Sequence, residues 1–515
     1  MPPVLTVGGE RVHAAETTAR FFRDRAFEPA WTSGAEVGRA AHELLATINR
    51  AHEEGLDPSH YHAGLLRERL EALDAARGSG RRARPGELVD LELSLTDAFV
   101  LYGSNLLSGH VNPETIDPEW FAARRGGDLA ASLERALASG RVAAALAALA
   151  PPQPGYARLK DALARYRELA RWSPVGEGPP LRLGDRGPRV ITLRDRLAAT
   201  GDLAAGAPET PDLELFDENL GRAVQRFQAR HGLDVDGVVG KDTVPELNRA
   251  VEERIQQIVV NLERWRWLPQ SLGRRHVLVN IPGFDLRGVE DGVSVLEMRA
   301  IVGKTYRRTP VFSDEISYLV LNPSWTIPPS IAVQDKLPLI REDPSYLARQ
   351  NIKVLSGWGA DAREVDPASV DWAAVSAKDF RYRLRQEPGP LNALGTMKFM
   401  FPNKFNVYLH DTPSRELFAK SSRDFSSGCI RIERPLDLAL FLLSEDHGWS
   451  LEKLEALLAD QKEQTVKLPQ AVPVHIQYWT AWVEDGGSVS FRKDLYGRDN
   501  RVADALREPP PATER

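Results

Sequence analysis

The chain contains a single cysteine, Cys429, which lies in the run Ser426-Ser-Gly-Cys-Ile-Arg431, 19 residues after His410 (429 − 410). A thiol that cannot pair within its own chain is either an inert buried group or a reactive one. Gly428 lets the backbone approach a substrate closely, while His410 and Arg431 favour the thiolate over the thiol. These flanking residues predict a cysteine nucleophile, with His410 as its base.

The same run carries other groups that acyl transfer requires. The backbone amides of Gly428 and Cys429 are placed to donate to the oxyanion of a tetrahedral intermediate, and the guanidinium of Arg431 suits a substrate carboxylate. The chain between His410 and Cys429 is long enough to loop out and return. Taken without context, a distant histidine and cysteine are more often structural residues, so the elements that position them decide their role.

Composition limits the class of protein. At 515 residues the chain is too long for one ordinary core, and length alone suggests roughly three or four domains. The formal net charge of -6, without basic runs that interleave aromatics, argues against nucleic acid as a partner. One cysteine excludes an intrachain disulfide framework. The sequence has no HExxH motif, no CxxC pair and no phosphate-binding glycine loop.

Membrane and export signals are not visible either. No stretch approaches the roughly 20 apolar residues that cross a bilayer, and the start, MPPVLTVGGERVHAAE, lacks a basic region followed by an apolar run. Read literally, this predicts a soluble cytoplasmic protein. A trimmed form of an exported protein has the same appearance, so the compartment stays open at this point.

Helical periodicity dominates the first third of the chain. Apolar residues recur at three-and-four spacing in segments such as GRAAHELLATINRAHEEGL and LVDLELSLTDAFVLYGSNLLSG, and Pro151-Pro152 ends the pattern. No acid, base and nucleophile are grouped there. The pattern predicts a helical scaffold.

A Pro/Gly-rich link, SPVGEGPP, leads into a compact unit at about 181–248. Two amphipathic helices are predicted there, with apolar faces formed by Val190, Leu193 and Leu197 and by Leu220, Val224 and Phe227. The unit opens with Gly-Asp, contains a Phe-Gln pair and has an Asp-Gly-x-x-Gly turn before a last short helix that Thr243 is predicted to cap. In these features it closely resembles the small three-helix peptidoglycan-binding domain found beside many cell-wall enzymes.

A helix-like bridge follows, and its Trp265 and Trp267 are interpreted as packing residues. From His276 the period changes to short β-branched runs broken by Pro, Gly and Asp, which are typical of strands. Asn322-Pro-Ser-Trp325 is interpreted as a junction within that sheet.

The predicted sheet is interrupted and then resumes. A polar, partly helical excursion at about 333–392 is typical of a lid. The segment GTMKFMFPNKFNVYLHDTP then delivers His410 at the end of a strand. A closing hairpin at about 472–495, with its turn at 485–487, is predicted to complete the sheet.

Together, HDTP and SSGCIR resemble the signature of L,D-transpeptidases of the YkuD type, which runs histidine, spacer, Ser/Thr-x-Gly-Cys-x-Asn/Arg. Many members place a second histidine just before the glycine, where this chain has Ser427. The segments NLERWRWLP, VGKTYRRTPVFS, NPSWTIPPSIA, NVYLHDTPSRELF, YWTAWV and FRKDLYG extend the resemblance to the large Gram-negative branch of the family.

That branch implies a multidomain α+β fold. It has an N-terminal all-α scaffold, a small three-helix peptidoglycan-binding domain, and a mostly β YkuD-like catalytic sandwich with a helical and loop lid. The predicted division is a scaffold at 1–175, the peptidoglycan-binding domain at 176–250, a helical bridge at 251–272, the catalytic domain at 273–500 and a tail at 501–515.

The resemblance also implies roles for individual residues. Cys429 is the nucleophile, His410 is the general base and later acid, and the main-chain carbonyl of Asp411 orients the imidazole. The amides of Gly428 and Cys429 form the oxyanion site. Four further residues are candidates to line the peptide groove: Ser427, Arg431, Tyr408 and Trp325.

The implied reaction is a two-step acyl transfer on peptidoglycan, and this route needs no metal or organic cofactor. Cys429 attacks the carbonyl between the L-centre of diaminopimelate and D-alanine in a tetrapeptide donor stem, and an amine of an acceptor stem resolves the thioester into a 3→3 cross-link. Water, a protein lysine or a free D-amino acid are alternative acceptors, and a catalytically silent wall-binding scaffold is the non-enzyme alternative. The resemblance further implies a periplasmic location and carbapenem-type β-lactams as covalent inhibitors, while the partners in cell-wall synthesis stay unassigned.

Overall fold

The computed structural model describes residues 5–34, 36–121, 124–203, 212–359, 361–446 and 448–510. The chain divides into two compact units, Met1–Ser271 with Tyr478–Arg515, and Leu272–Gln477. Among the helices of these ranges, none combines the length and the apolar character that a bilayer crossing needs.

The first unit begins with the predicted helical scaffold. Its central helix spans Pro85–Ser108, and two carboxylates on it are buried. Glu92 accepts hydrogen bonds from the amides of Trp31 and Thr32, and Asp97 accepts one from the amide of Ala14. These bonds satisfy the backbone of the chain segments that pack against the helix. The helices are Ala15–Asp24 (α1), Arg39–Asn49 (α2), Ala63–Gly78 (α3), Pro85–Ser108 (α4), Pro113–Ile116 (α5), Leu129–Ser139 (α6), Val142–Ala147 (α7) and Pro154–Glu168 (α8), with short strands Thr6–Val7 (β1), Glu10–Arg11 (β2), Thr32–Ser33 (β3), Glu36–Val37 (β4) and Trp120–Phe121 (β5).

The predicted peptidoglycan-binding unit contains helices Pro188–Ala199 (α9), Glu218–Arg230 (α10) and Thr243–Asn248 (α11). The two apolar faces predicted from the sequence are buried in one core. Gln228 explains the Phe-Gln pair, because its buried amide donates to Asp236 at 2.8 Å and accepts from the amide of Gly237 at 2.8 Å. The side chain therefore holds the Asp-Gly turn against α10.

We expect Gln228→Leu to destabilise this unit by about 1–3 kcal/mol, because buried partners of the lost amide become unsatisfied. Hydrogen exchange at the amides of residues 236–243 measures the effect locally. Gln225→Leu is the matched control, since Gln225 is an exposed residue of the same helix. Equal protection in the two variants would contradict the role assigned to Gln228.

The bridge forms helix Val251–Arg266 (α12) within the first unit. Trp265 and Trp267 are both buried, and Trp267 meets Trp120 edge to face at 4.9 Å between ring centroids. Trp265 stacks on Trp479 at 4.4 Å between ring centroids. The interpretation of these tryptophans as packing residues is confirmed.

The second unit is built around a sheet whose two ends pair with each other. The strands of the unit are Arg275–Asn280 (β6), Asp285–Glu290 (β7), Val293–Ile301 (β8), Val311–Leu321 (β9), Trp325–Thr326 (β10), Ile352–Ser356 (β11), Arg363–Val365 (β12), Tyr382–Gln386 (β13), Met397–Met400 (β14), Leu409–His410 (β15), Ile430–Ile432 (β16) and Gln464–Gln477 (β17). Eight of these described strands follow the order β14-β15-β16-β8-β7-β6-β17-β9, and β9 also pairs with β14. The mostly β catalytic region that the sequence predicts is confirmed.

The excursion has its own sheet, of order β10-β13-β11-β12, and its own apolar core. We call residues 325–386 the lid. The interpretation of Trp325 as part of the catalytic sheet is wrong, because Trp325 pairs with Gln386 of the lid. The lid thus begins before the predicted position of about 333. The helices of the second unit are Pro329–Ile331 (α13), Leu337–Glu342 (α14), Tyr346–Arg349 (α15), Pro435–Leu443 (α16) and Leu451–Ala459 (α17), with a wider helical turn at Ala332–Lys336 between α13 and α14.

The C-terminal hairpin corrects the predicted domain boundary. Strands Ala481–Val483 (β18) and Val489–Phe491 (β19) pair around the predicted turn, but they form a separate sheet in the first unit. Gln257 of α12 explains this, because its amide donates to the carbonyls of Thr480 and Arg492, both at 2.9 Å. The catalytic unit therefore ends at Gln477 instead of 500, and the predicted tail contains most of a helix, Asp499–Arg507 (α18).

Candidate active site

The register of three strands gathers the predicted site. His410 on β15 pairs with Lys398 on β14 and with Arg431 on β16, where the strands run parallel. Directly paired residues point to the same face of a sheet, and successive residues alternate. Phe399, Leu409 and Ile430, which alternate with these polar residues, are fully buried. The sequence therefore separates an apolar face from a face that carries a histidine between two cations.

His410 is fixed by its neighbour in the chain. Its Nδ1 lies 2.5 Å from the main-chain carbonyl oxygen of Asp411. A carbonyl can only accept, so Nδ1 carries the proton and Nε2 has a lone pair. Asp411 is itself anchored, because its carboxylate accepts from the amide and hydroxyl of Thr396, both at 2.9 Å, and from Arg415 at 2.9 Å. The predicted role of the Asp411 carbonyl agrees with this geometry.

Burial keeps the imidazole neutral. It lowers the pKa of His410 to about 3, and the positive charges of Arg431 and Lys398 act in the same direction. The hydrogen bond to the Asp411 carbonyl opposes the fall. At neutral pH, Nε2 is therefore unprotonated and able to take a proton from a neighbouring acid.

The Cys429 thiol lies beside the same face. Its Sγ is 3.8 Å from the carbonyl oxygen of Asn406, and Tyr408 and Cys429 are hydrogen-bonded neighbours. The amide of the next residue, Ile430, donates to the Tyr408 carbonyl at 3.1 Å. The ring centroids of Tyr408 and His410 are 5.7 Å apart, so the phenol neighbours both the thiol and the imidazole.

The electrostatics of the thiol differ from the sequence prediction. Burial raises the pKa of Cys429, while hydrogen bonding to Tyr408 and the charges on Lys398 and Arg431 oppose the rise. Arg431 thus acts in the predicted direction, but burial outweighs it. His410 is neutral and offers the thiolate no charge. Burial therefore favours a thiol and a neutral imidazole over a thiolate and an imidazolium.

Gly428 has a different role from the predicted oxyanion donor. Its amide donates to the hydroxyl of Ser426 at 3.1 Å, so that N–H already has a partner. No described residue accepts from the amide of Cys429, which is the donor left for an oxyanion. Gly428 has a φ of 113° and a carbonyl that accepts from the hydroxyl of Thr309 at 2.8 Å. Only glycine adopts this backbone readily, so Gly428 shapes the loop before the thiol.

Ser427 joins the catalytic loop to the lid. The residue is exposed, and its hydroxyl lies 2.9 Å from a guanidinium nitrogen of Arg307. Arg307 also pairs through both terminal nitrogens with Asp335 of the lid, at 2.5 and 2.8 Å. The Ser427 hydroxyl is thus held by a guanidinium that also forms a two-pronged ion pair with the lid.

Tyr408 and Trp325 connect the thiol to the lid from the other side. Burial raises the pKa of Tyr408 well above its usual value, and hydrogen bonding to Trp325 opposes this rise. The phenol therefore stays protonated and can donate. Lys398 places its ammonium 3.9 Å from the centroid of the Tyr408 ring. All eight predicted site residues lie in the second unit: Trp325, Tyr408, His410, Asp411, Ser427, Gly428, Cys429 and Arg431.

Sequence reasoning missed Lys398 and Arg307. The alternation in Met397-Lys398-Phe399 was a usable signal for Lys398, because it separates the lysine from the apolar face. Arg307 had no such signal, since its partner Asp335 comes from the lid. Among the described residues, no group of three or more His, Cys, Asp or Glu side chains lies in position to hold a metal ion.

Family models match three parts of the chain. Residues 274–465 match the model described as "L,D-transpeptidase catalytic domain". This range includes the three strands and the loop that form the site. The chain carries a YkuD-type L,D-transpeptidase catalytic domain. Residues 16–163 match a "Scaffold domain", and residues 186–247 match a "Putative peptidoglycan binding domain".

Two curated proteins are similar in sequence. A "Putative L,D-transpeptidase" of Haemophilus influenzae is 39% identical over 247 residues, which cover 48% of this chain and 49% of that protein. The N-acetylmuramoyl-L-alanine amidase CwlM of Mycobacterium tuberculosis is 42% identical over 81 residues, 14% of this chain and 20% of that protein. The chain thus spans at most about half the length of either relative.

A solved structure of an L,D-transpeptidase fragment from Xylanimonas cellulosilytica matches 58% of this chain and 99% of its own chain. It is 15% identical, and the TM-score is 0.17. A likeness at that level supports no inference about the fold. The assignment of the catalytic domain depends on the family model and the curated relative.

The pH dependence of thiol alkylation tests the electrostatics of the site. Because the pKa of Cys429 is raised from 9.0 and His410 is neutral above about pH 3, the thiolate fraction at pH 7 is below that of an ordinary cysteine. We expect the rate of alkylation by iodoacetamide to rise continuously beyond pH 9.0. Mass spectrometry of quenched samples measures the rate, and Cys429→Ala controls for other sites. A reactive plateau near pH 6, as a thiolate–imidazolium pair gives, would contradict the account.

Proposed function

We propose that this protein forms 3→3 cross-links in peptidoglycan through a thioester on Cys429, with a tetrapeptide stem as donor and release of D-alanine. The coarser statement, an L,D-transpeptidase catalytic domain, follows from the family model. The observation that supports the acyl-transfer chemistry in it is the hydrogen bond from His410 Nδ1 to the Asp411 carbonyl. This bond leaves Nε2 unprotonated beside Tyr408, which neighbours both the imidazole and the thiol, and a cysteine acyl transfer requires such a base near its nucleophile.

In the acylation step, Sγ of Cys429 attacks the carbonyl carbon of diaminopimelate while its proton passes to Nε2 of His410. The carbonyl oxygen gains the negative charge, and the Cys429 amide is the available donor to it. When the intermediate collapses, the C–N bond breaks. The imidazolium returns the proton to the departing amine of D-alanine, and a thioester and a neutral imidazole are left.

The second step repeats this chemistry with an acceptor. The amine on the D-centre of an acceptor diaminopimelate attacks the thioester carbon, and its proton passes to Nε2. The C–S bond then breaks, and the imidazolium protonates the departing thiolate of Cys429. The product is an amide between two diaminopimelate residues, and the enzyme regains its starting protonation state.

The remainder of the chain supports a polymeric substrate. Residues 186–247 match a peptidoglycan-binding domain, and we propose that this unit tethers the enzyme to the cell wall. A tethered enzyme meets stems at a high effective concentration. Since the substrate lies outside the cytoplasm, we also propose a periplasmic location.

Purified tetrapeptide muropeptides test the proposed reaction. We expect the wild-type protein to release D-alanine, to carry a thioester adduct, and to produce dimers joined by a 3→3 bond. His410→Gln should lower the rate by about 10²–10⁴-fold, because a general base is lost. Mass spectrometry of products and of intact protein measures all three outcomes.

Cys429→Ala is the control, and it should give no adduct and no D-alanine. D-alanine release without dimers, in the presence of acceptor, would identify a carboxypeptidase with water as the acceptor. Wild-type activity in Cys429→Ala would overturn the thioester.

Carbapenem acylation provides a second test of the nucleophile. A β-lactam presents a strained amide carbonyl, and attack by Cys429 breaks its C–N bond and opens the ring. The ring nitrogen stays attached to the acyl group, so nothing is released. We expect intact-mass analysis to show one carbapenem added to the wild-type protein and none added to Cys429→Ala. No adduct on the folded wild-type protein would count against the proposed chemistry.

A further inference from the structure

Two cations beside the thiol have no anionic contact partner among the residues that the structure describes. The ammonium of Lys398 is half-buried over the Tyr408 ring, and it makes no hydrogen bond or ion pair with any described residue. The Nε of Arg431 is buried and likewise has no hydrogen-bond partner in the described part of the chain. Buried cations are normally paired, because desolvation is costly without an opposite charge.

The acidic groups nearby do not supply that charge. Glu463 influences Lys398 electrostatically, but its carboxylate accepts a hydrogen bond from the amide of Ser324 at 2.5 Å. Glu416 acts on Arg431 only from beyond ion-pair distance. The Cys429 thiol is neutral. The face around His410 therefore carries two positive charges that the described protein groups leave without a contact partner.

We propose that Lys398 binds a carboxylate of the donor stem, on the opposite side of His410 from Arg431. Both cations pair in register with His410, one from each neighbouring strand, so they flank the imidazole. The Tyr408 ring holds the ammonium through its face and uses none of the three N–H donors. An arriving carboxylate meets a positioned cation with its hydrogen bonds unused.

This inference rests on the proposed function, because the donor defines which carboxylates are available. A tetrapeptide donor has two near the scissile bond: that of the terminal D-alanine and that on the D-centre of diaminopimelate. The shared chemistry is a carboxylate within reach of the reacting carbonyl. Amidation of each carboxylate in turn distinguishes the two sources.

The experiment compares the full-length wild-type protein with Lys398→Met and Lys398→Arg on three donors. These are the tetrapeptide, its D-alanine amide, and the tetrapeptide with an amidated diaminopimelate. Lys467→Met is the matched control, because Lys467 is an exposed lysine of the same unit. The readouts are kcat/KM for release of the terminal residue and the rate of iodoacetamide alkylation of the protein without donor.

We expect Lys398→Met to lower kcat/KM on the tetrapeptide roughly 10- to 100-fold, mainly through KM, as for a lost charge-assisted hydrogen bond. On one of the two amidated donors, kcat/KM of the wild-type protein should fall toward that of Lys398→Met, so that the ratio of the two kcat/KM values approaches one. Lys398→Arg should recover most of the activity, and Lys467→Met should match the wild-type protein.

The same ratio of wild-type to Lys398→Met kcat/KM on all three donors would overturn the inference. So would a loss of D-alanine release matched by an equal loss of alkylation rate, because Lys398 would then act on the thiol. If the wild-type protein itself releases no D-alanine, the proposed function fails and the inference fails with it. Normal wild-type turnover with a constant ratio rejects the role of Lys398 alone.

Discussion

One hydrogen bond organises the site, from Nδ1 of His410 to the carbonyl of the next residue, Asp411. Asp411, which provides the acceptor, is itself fixed by hydrogen bonds of its amide and of its carboxylate. Its amide donates to the Met397 carbonyl at 2.9 Å, and its carboxylate is fixed by Thr396. Gly395 makes room for it, since a Cβ at that position would lie 2.4 Å from the carboxylate. The imidazole is thus oriented by backbone that has little freedom to move.

Burial then sets the charge state of both reacting groups. Desolvation disfavours the charged form, so it lowers the pKa of His410 and raises that of Cys429. The two shifts together favour a neutral pair before substrate arrives. In the proposed mechanism, proton transfer accompanies attack on the carbonyl, where the developing charge moves onto the oxyanion. The charges of Lys398 and Arg431, which no acidic group of the described residues contacts, act in the same direction because they suppress the imidazolium.

Arg307 connects the lid to the loop that carries Cys429. An ion pair through both terminal nitrogens links it to Asp335, and Ser427 next to Gly428 shares the same guanidinium. A partly exposed pair of this geometry is worth more than an ordinary surface pair, though it is weaker than a buried one. Ser427, the position at which the sequence departs from the signature it resembles, therefore belongs to the contact between lid and loop. In the proposed mechanism His410 alone activates the thiol.

Local patterns predicted the larger features of the fold. Alternation and helical period located the scaffold, the apolar faces around Val190 and Phe227, and the strand that ends at His410. They failed where a distant contact decides. The hairpin around 485–487 alternates like a sheet strand, yet Gln257 of α12 binds it in the first unit. Trp325 follows a catalytic strand in sequence but pairs with Gln386, 61 residues later (386 − 325).

The site showed the same division. Residue types and spacing predict Cys429 as nucleophile and His410 as base, roles that stay predictions, and the resemblance implied the hydrogen bond to the Asp411 carbonyl, which is present. Neither indicated that Ser426 occupies the amide of Gly428, since that bond depends on the loop conformation. Lys398 becomes meaningful only when the register pairs it with His410. Charge states depend on burial, which is a property of the folded chain.

The charge and tautomer of His410 test this account most directly. Two-dimensional ¹⁵N–¹H spectra of protein labelled at histidine report both ring nitrogens, and His410→Gln assigns the signal among the 11 histidines. We predict a neutral ring with the proton on Nδ1 from about pH 8 down to about pH 4, since the pKa of His410 is lowered to about 3. An imidazolium at pH 7, or a proton on Nε2, would contradict the account.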